Sequence, residues 1–180
     1  RRLATAVGKY WVCKRAPNHA FEAMECLGGN GYVEDSGLPR LYREAPVMSI
    51  WEGTGNVMTL DVLRALARSP EAIEVFLAEC EEASGADRRL DAHLSRLGEE
   101  LGPLRSGAEP GALEARARSI TEALALALQG SLLVRHAPPA VADAFCASRL
   151  GGQGGLEYGT LPAGADLGAI LARAGIGGAG

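Results

Sequence analysis

The residues of this sequence that are best suited to chemistry lie in one short stretch, Ser49–Asn56. Within it, Glu52 follows Trp51 directly, and Gly53 and Gly55 permit backbone conformations that would aim the carboxylate away from a helix face. An apolar helical pattern begins immediately afterwards, so the first N–H groups of that helix lack intrahelical partners and carry the positive end of its dipole. The stretch therefore predicts a carboxylate beside a helix start that attracts anions. On these residues alone, a solvated glutamate in a glycine-rich loop is an equally good interpretation.

The other familiar catalytic motifs are missing from the sequence. None of the glycine clusters has the G-x-G-x-x-G spacing, and none follows a strand pattern, which argues against a dinucleotide fold or a phosphate-binding loop. No G-x-S-x-G motif occurs, so a serine nucleophile on a sharp turn is not indicated. The segment Arg40–Glu44 mixes basic and acidic residues and is interpreted as a salt-bridged helix surface.

The composition favours a helical protein that does not bind polyanions through its overall charge. The 180 residues allow one large domain or two small ones, and 47% of them are hydrophobic while only 5% are aromatic. Alanine, leucine and glycine carry most of the apolar mass, which favours packed helices over a β-sandwich. The net charge of −4 argues against a general electrostatic attraction to nucleic acid or to an anionic membrane, and leaves a local basic patch open.

The cysteines and histidines do not form a metal-binding pattern, and no metal site is expected. Cys13, Cys26, Cys80 and Cys146 are far apart and form no C-x-x-C pair, so we expect buried free thiols in a reducing cytoplasm. No run approaches the roughly 20 apolar residues of a membrane span, and a secretory leader pattern is lacking. The sequence opens within a helical pattern and without an initiator methionine, which is typical of a piece of a longer chain.

Apolar spacing predicts that the chain is all-α, with the reactive stretch between two helices. Helices are predicted over about 2–27 with a break or kink at Pro17, and over about 38–45, 54–68, 70–83, 87–101, 112–136, 139–150 and 161–174. Glycine-rich loops are predicted over 28–37, 102–111 and 151–155. We expect an antiparallel helical bundle over residues 1–84, followed by a helical extension over residues 85–180.

Three segments recur together in a known family. Glu25–Tyr32, Leu38–Glu44 and Ile50–Asn56, in matched order and spacing, resemble the C-terminal helical domain of the flavin-dependent acyl-CoA dehydrogenases. Trp51 stands where that family usually has tyrosine, and Glu25 stands where it usually has glutamine. These departures are most similar to the AidB-like branch, which is associated with the adaptive response to DNA alkylation. The segments 135–142 and 145–146 also resemble the C-terminal extension of that branch, so the resemblance covers nearly the whole chain.

The resemblance implies a role for each matching residue. Glu52 would be the base that removes the α-proton of an acyl-CoA thioester, while the β-hydride passes to FAD. Thr54, with Gly55 and Asn56 after it, would hold the flavin cofactor. The segment that ends the first helix would reach the FAD of a neighbouring subunit, which implies a homotetramer built as a dimer of dimers. The residues of that segment expected to contact FAD are Leu27, Gly28 and Gly29; the carboxylate of Glu25 is not expected to do so.

The AidB-like resemblance also implies a different class of function. Binding of duplex DNA is attributed to this domain in that branch, with only weak dehydrogenase activity. The candidate contacts in this chain are Arg88, Arg89, Arg116, Arg118, Arg135 and Arg149. Residues 85–180 nevertheless hold nine arginines against ten acidic residues, so solvated helix faces are favoured by composition. A helical oligomerisation module without catalytic activity is the third possibility.

Overall fold

The computed structural model describes residues 2–175 and shows an all-helical chain, which confirms the predicted class. The α-helices in chain order are α1 (Arg2–Cys26), α2 (Gly29–Tyr32), α3 (Leu38–Glu44), α4 (Gly55–Arg68), α5 (Pro70–Glu81), α6 (Arg88–Arg105), α7 (Ala117–His136), α8 (Pro139–Phe145) and α9 (Leu167–Arg173). Short 3₁₀ segments occupy Glu34–Ser36, Ala45–Ser49 and Pro110–Arg116, and a π-helical segment occupies Cys146–Leu150. Within residues 2–175 no helix has both the length and the apolar character that crossing a bilayer requires.

The helices pack into two compact units. The first contains Arg1–Pro70 together with Leu104–Ala125, and the second contains Glu71–Pro103 together with Leu126–Gly180. Both α6 and α7 therefore contribute residues to each unit. These packing units do not test whether residues 1–84 and 85–180 are separable domains, and that division stays a prediction.

The core of the first unit is built on the contact between α1 and α4. In α1 the buried side chains follow a helical spacing that begins with Leu3, Val7 and Tyr10. In α4 Val62, Leu63 and Leu66 are completely buried. Helix α1 also contacts the 3₁₀ segment Ala45–Ser49, which precedes the loop that carries Glu52. Full burial of one such aliphatic side chain contributes about 1.5–3 kcal/mol, so the contact between α1 and α4 is stable. The loop between residues 49 and 55 joins the 3₁₀ segment to α4, and this contact therefore determines where the loop lies.

Of the predicted break or kink at Pro17, the break is wrong, because α1 continues through this residue to Cys26. A proline inside a helix lacks an N–H donor and costs about 3 kcal/mol, which normally ends the helix. Here both halves of α1 are held by packing, since the first half is buried against α4 and the helix also contacts α2 and α3. Tertiary contacts therefore outweigh the local penalty.

Other helix boundaries differ from the prediction by a few residues. Helix α6 extends through Pro103 to Arg105, where a proline in the last turn removes one hydrogen bond without stopping the helix. The predicted helix over 112–136 begins as a 3₁₀ segment and becomes α-helical at Ala117. The predicted loop over 28–37 contains α2 and a 3₁₀ turn. The predicted tail helix shortens to α9, where Asp166 caps the start by accepting from the N–H of Ala169 at 3.0 Å. Residues 176–180 lie outside the described part.

All four cysteines are free, as expected, but their burial differs. Cys13, Cys80 and Cys146 are buried, whereas Cys26 at the end of α1 is exposed, so the expectation of a buried thiol is wrong there. Burial raises the pKa of the Cys80 thiol to about 12 and that of the Cys146 thiol to about 11, with nearby carboxylates acting in the same direction. These two thiols are therefore poor nucleophiles at neutral pH.

The turn from α1 into α2 depends on a glycine at a position of close backbone contact. Gly28 adopts a positive φ of 56° and turns the chain, and the Gly31 N–H then donates to the Gly28 carbonyl at 3.0 Å. A Cβ atom added to Gly31 would lie 2.1 Å from the carbonyl oxygen of Met24. Only glycine allows α2 to rest against the end of α1 in this way.

Replacing Gly31 by alanine should therefore destabilise the chain. The new methyl group must push α2 away from the Met24 carbonyl, and overpacking of this kind costs about 1–3 kcal/mol. Gly29→Ala is the matched control, because a Cβ atom at that position meets no atom within 4 Å. The unfolding midpoint in urea measures both variants, and equal midpoints for Gly31→Ala and the wild type would contradict the close contact.

Candidate active site and cofactor surface

Glu52 lies in a strained backbone conformation between the 3₁₀ segment Ala45–Ser49 and α4. Its φ angle is 60°, and it is the one non-glycine residue with a positive φ among residues 2–175. The next residue, Gly53, has a φ of 123°. The left-handed conformation costs an L-residue roughly 1–2 kcal/mol, and such strain is commonly found at functional positions. A glutamate occupies a position where glycine would be relaxed, which points to a use for its carboxylate.

The loop that carries Glu52 is attached to α1 through Lys9. The Lys9 ammonium donates a hydrogen bond to the Met48 carbonyl at 2.9 Å and lies 5.9 Å from the centre of the Trp51 ring, within range of a cation–π interaction. The N–H groups of Ile50 and Trp51 both donate to the Val47 carbonyl at 3.0 Å. Contacts on both the backbone and the indole therefore fix the residues immediately before Glu52.

The two apolar side chains that precede Glu52 on the loop do not enclose its carboxylate within this chain. Ile50 is 60% exposed and Trp51 is 52% exposed, and Glu52 itself is exposed. Ile50 and Trp51 thus provide apolar surface on the loop, but they do not form a closed pocket around Glu52. A base for a weakly acidic proton requires a desolvated carboxylate, so further surfaces must cover this loop if Glu52 acts in that role.

The start of α4 leaves hydrogen-bond donors available next to Glu52. Thr54 is the N-cap residue with extended backbone angles, and its hydroxyl does not cap the helix. The N–H groups of the first helical turn therefore keep their unpaired character; Thr54 and Asn56 are exposed, whereas Gly55 between them is buried. A phosphate group is well matched to such a helix start, because the N–H groups and the dipole both favour a negative charge.

Arg118, which the sequence analysis proposed as a DNA contact, lies instead at this helix start, beside residues expected to hold the flavin. Its Nε donates a hydrogen bond to the Asn56 Oδ1 at 2.8 Å. A Cβ atom on Gly55 would lie 3.0 Å from the Arg118 Nη2 and 3.5 Å from the Lys14 Cδ. A cavity of about 420 Å³ lies alongside, lined by Asn56, Thr59, Leu60, Glu114, Ala115, Ala117 and Arg118. No local pattern in the sequence indicates this contact, because the two residues are 62 positions apart.

Tyr10 of α1 lies in the electrostatic field of the same cluster. Burial raises the pKa of its phenol, and the Arg118 guanidinium opposes that shift while Glu122 adds to it. Tyr10 is thus a neutral, buried part of the scaffold beneath the helix start, and not a candidate base.

The predicted segment Leu27–Gly29 forms an exposed turn at the end of α1. Leu27 is 54% exposed, and Gly28 and Glu25 are exposed as well. The turn is closed by hydrogen bonds from the N–H groups of Leu27 and Gly28 to the carbonyls at 24 and 25. Its backbone is therefore accessible to another molecule.

A second cavity, which the sequence did not predict, lies between α1, α2 and α3. It measures about 480 Å³ and is lined by Phe21, Met24, Tyr32, Val33, Glu34, Pro39, Tyr42 and Arg43. The Phe21 and Tyr42 rings are 6.0 Å apart at a tilted angle of 52°. Arg43 forms two hydrogen bonds to the Glu34 carboxylate, at 2.8 and 2.9 Å, and these hold the pKa of that carboxyl below its ordinary value.

The ion pair predicted within Arg40–Glu44 is confirmed, with 2.9 Å between the Arg40 Nε and the Glu44 Oε1.

Three of the six arginines proposed for DNA contacts are held by partners within their own unit. Arg89 bonds to Asp87 and, at 2.7 Å, to Asp143. Arg135 pairs with Glu79 at 2.7 Å, and Arg118 bonds to Asn56 as described. The remaining three, Arg88, Arg116 and Arg149, are exposed, and Arg116 takes part in further interactions.

Comparison with known proteins defines the class of protein to which this fold and site belong. Residues 1–67 match the model of the family described as "Acyl-CoA dehydrogenase, C-terminal domain". These residues include α1 to α3, the Glu52 loop and nearly all of α4. The chain therefore belongs to the acyl-CoA dehydrogenase family, and its first unit has the helical C-terminal architecture of that family.

Individual relatives extend the similarity beyond residue 67. The putative acyl-CoA dehydrogenase AidB of Escherichia coli is 43% identical over 156 residues, which is 87% of this chain and 27% of that protein. Acyl-CoA dehydrogenase family member 11 of Caenorhabditis elegans is 36% identical over 149 residues, 76% of this chain and 24% of that protein. A mitochondrial isovaleryl-CoA dehydrogenase of Arabidopsis thaliana is 38% identical over 55 residues, 31% of this chain and 13% of that protein. The chain thus spans about a quarter of the length of the first two relatives.

The ion pairs of Arg89 yield a stability prediction with a defined pH dependence. Hydrogen bonds from Arg89 lower the pKa of the largely buried Asp87 carboxyl below its ordinary value of 3.8. This stabilisation is therefore fully present above the unfolded-state value and is lost as the pH falls through the folded-state pKa. Arg89→Gln should destabilise the chain by about 1–3 kcal/mol near neutral pH, because it leaves a carboxylate without its charged donor.

The matched control is Arg88→Gln, which removes the same charge from the neighbouring, exposed position. Urea unfolding from neutral pH down to about pH 3 should show a difference between Arg89→Gln and the wild type that shrinks below about pH 4. A difference that stays constant with pH, or one that Arg88→Gln reproduces, would show that the Asp87 pair does not supply the stability.

Proposed function

We propose that this chain supplies the catalytic base and part of the flavin-binding surface of an FAD-dependent, acyl-CoA dehydrogenase-like protein of the DNA alkylation response. The observation that carries the proposal is the strained backbone of Glu52 immediately before the open helix start of α4. Membership of the acyl-CoA dehydrogenase family supports it independently. The chain covers about a quarter of the length of these relatives. The activity is therefore proposed for the full-length protein.

In the proposed reaction, the Glu52 carboxylate takes the α-proton of an acyl-CoA thioester and becomes a neutral carboxylic acid. Bound FAD would supply the acceptor for the hydride that leaves the β-carbon. The α-proton is weakly acidic, so the base must be desolvated and held within about 3 Å of it. The exposed side chains of Ile50 and Trp51 provide the apolar surface on which the acyl chain and other parts of the protein would close.

The proposed flavin surface has two parts. The Thr54 hydroxyl, the Gly55 N–H and the Asn56 carboxamide would hold the cofactor's pyrophosphate at the start of α4. The exposed turn at Leu27–Gly29 would reach the cofactor of a second copy of the chain. The second contact requires an assembly, and a dimer of dimers is the arrangement we propose.

Glu52→Gln tests the proposed base directly. The amide preserves size and hydrogen bonding but cannot accept the α-proton, so reduction of the bound flavin by an acyl-CoA should slow by about 10²–10⁴-fold. The measurement is the anaerobic loss of flavin absorbance on mixing with acyl-CoAs of several chain lengths.

Asp61→Asn is the matched control for this variant, because Asp61 is an exposed carboxylate on α4 outside the proposed site. It should reduce its flavin at the wild-type rate. Wild-type rates in Glu52→Gln would eliminate Glu52 as the base, and a colourless wild-type protein that takes up no added FAD would contradict the flavin site itself.

Binding of duplex DNA is a second candidate function. It is favoured by Arg88 and Arg149, which are exposed and have no ion-pair partner within residues 2–175. The acidic residues of the same region and the engaged state of Arg89 and Arg135 weaken this reading. DNA binding and the expected cytoplasmic location both stay predictions.

If the chain binds DNA through these residues, the affinity must fall steeply with salt. The logarithm of the binding constant should decrease with log salt by about 0.9 per phosphate contacted. The double variant Arg88→Gln/Arg149→Gln should lower that slope by about 2. Filter binding of a fluorescent duplex at several salt concentrations measures the slope, and no binding at low salt would remove this function.

A further inference from the structure

We propose that Arg118 is a positioning residue of the flavin site, which holds the Asn56 carboxamide in the orientation that presents its NH₂ group to the cofactor. The inference rests on the proposed function and deepens it. It also gives Arg118 a role different from the DNA contact expected from the sequence.

The chemistry of the two side chains determines the orientation of the amide. An arginine guanidinium has only donors, so the carboxamide group that accepts from its Nε must be the oxygen. The Asn56 Oδ1 is therefore turned towards Arg118, and the Nδ2 group with its two hydrogens is turned away. No residue between 2 and 175 accepts a hydrogen bond from that Nδ2 group.

This orientation makes the start of α4 a surface composed of donors. The Thr54 hydroxyl does not cap the helix, so the first N–H groups of α4 keep their unpaired character, and the Nδ2 group of the exposed Asn56 adds two more hydrogens that can be donated. A pyrophosphate offers only acceptors at neutral pH, so a carboxamide in the opposite orientation would place its oxygen against the phosphate. Arg118 prevents that orientation, because its guanidinium cannot accept from an NH₂ group.

The guanidinium lies close to the backbone of Gly55. Gly55 leaves room for it, since a Cβ atom there would lie 3.0 Å from the Arg118 Nη2. Arg118 itself lies on the first turn of α7, in the segment Leu104–Ala125 that belongs to the first packing unit. Residues beyond the family match at 1–67 therefore complete the cofactor surface.

A double-mutant cycle on FAD affinity tests the inference. The full-length protein is stripped of cofactor, and FAD binding is titrated for the wild type, Arg118→Gln, Asn56→Ala and the double variant. Each single variant should bind FAD about tenfold more weakly, the size expected for one hydrogen bond to a charged group. The double variant should bind no more weakly than Asn56→Ala, because Arg118 acts through Asn56.

Arg64→Gln is the matched control, since it removes the same charge from an exposed position on α4. It should bind FAD as the wild type does. Additive losses in the cycle would show that Arg118 acts directly on the ligand or through its charge, and an equal loss in Arg64→Gln would show a general electrostatic effect. Either result overturns the inference.

Asn56→Asp keeps the inference testable if Arg118→Gln impairs folding. A carboxylate at position 56 retains the acceptor for Arg118 but lacks the NH₂ donors, so FAD binding should fall by at least about tenfold while the unfolding midpoint does not decrease. Wild-type FAD affinity in Asn56→Asp contradicts the positioning role and leaves the proposed function standing. A wild-type protein that binds no FAD removes the proposed function and this inference together.

Discussion

The structure around the candidate site depends on the packing of α1 against α4. The buried faces of these two helices place the 3₁₀ segment Ala45–Ser49 against α1, and they place the first residues of α4 at the other end of the same loop. The loop between them must therefore reverse within a few residues, and Glu52 and Gly53 absorb the reversal with two consecutive positive φ angles. The burial that stabilises the helices provides the free energy that holds Glu52 in a strained conformation.

Side chains on other elements then fix the orientation of the groups in the site. Lys9 holds the loop from α1 by a hydrogen bond to the backbone and by its position near the Trp51 ring. Arg118 holds Asn56 from α7. Arg118 is a cation next to a helix start that already favours anions, so the same side chain contributes to both the electrostatics and the geometry of the site. An anionic cofactor and an anionic thioester substrate suit such a surface.

Much of the fold could be predicted from the sequence, because local signals and tertiary packing agree over most of it. The spacing of apolar residues located the long helices, and the glycines at 28 and 53 marked turns that do adopt positive φ. The helix does not break at Pro17, because tertiary contacts of α1 outweigh one lost hydrogen bond. The contact between Arg118 and Asn56 could not be predicted, since nothing local connects residues so far apart. The exposure of Glu52 also follows from packing and not from sequence.

We propose that Glu52 removes a proton from the α-carbon of a thioester. The most direct measurement is the incorporation of solvent deuterium at that carbon when an acyl-CoA is incubated in heavy water with the full-length protein, followed by NMR. Exchange at this position reports proton removal without requiring flavin reduction. We expect exchange catalysed by the wild type and none above the uncatalysed rate in Glu52→Gln. Equal exchange in the two proteins would contradict it.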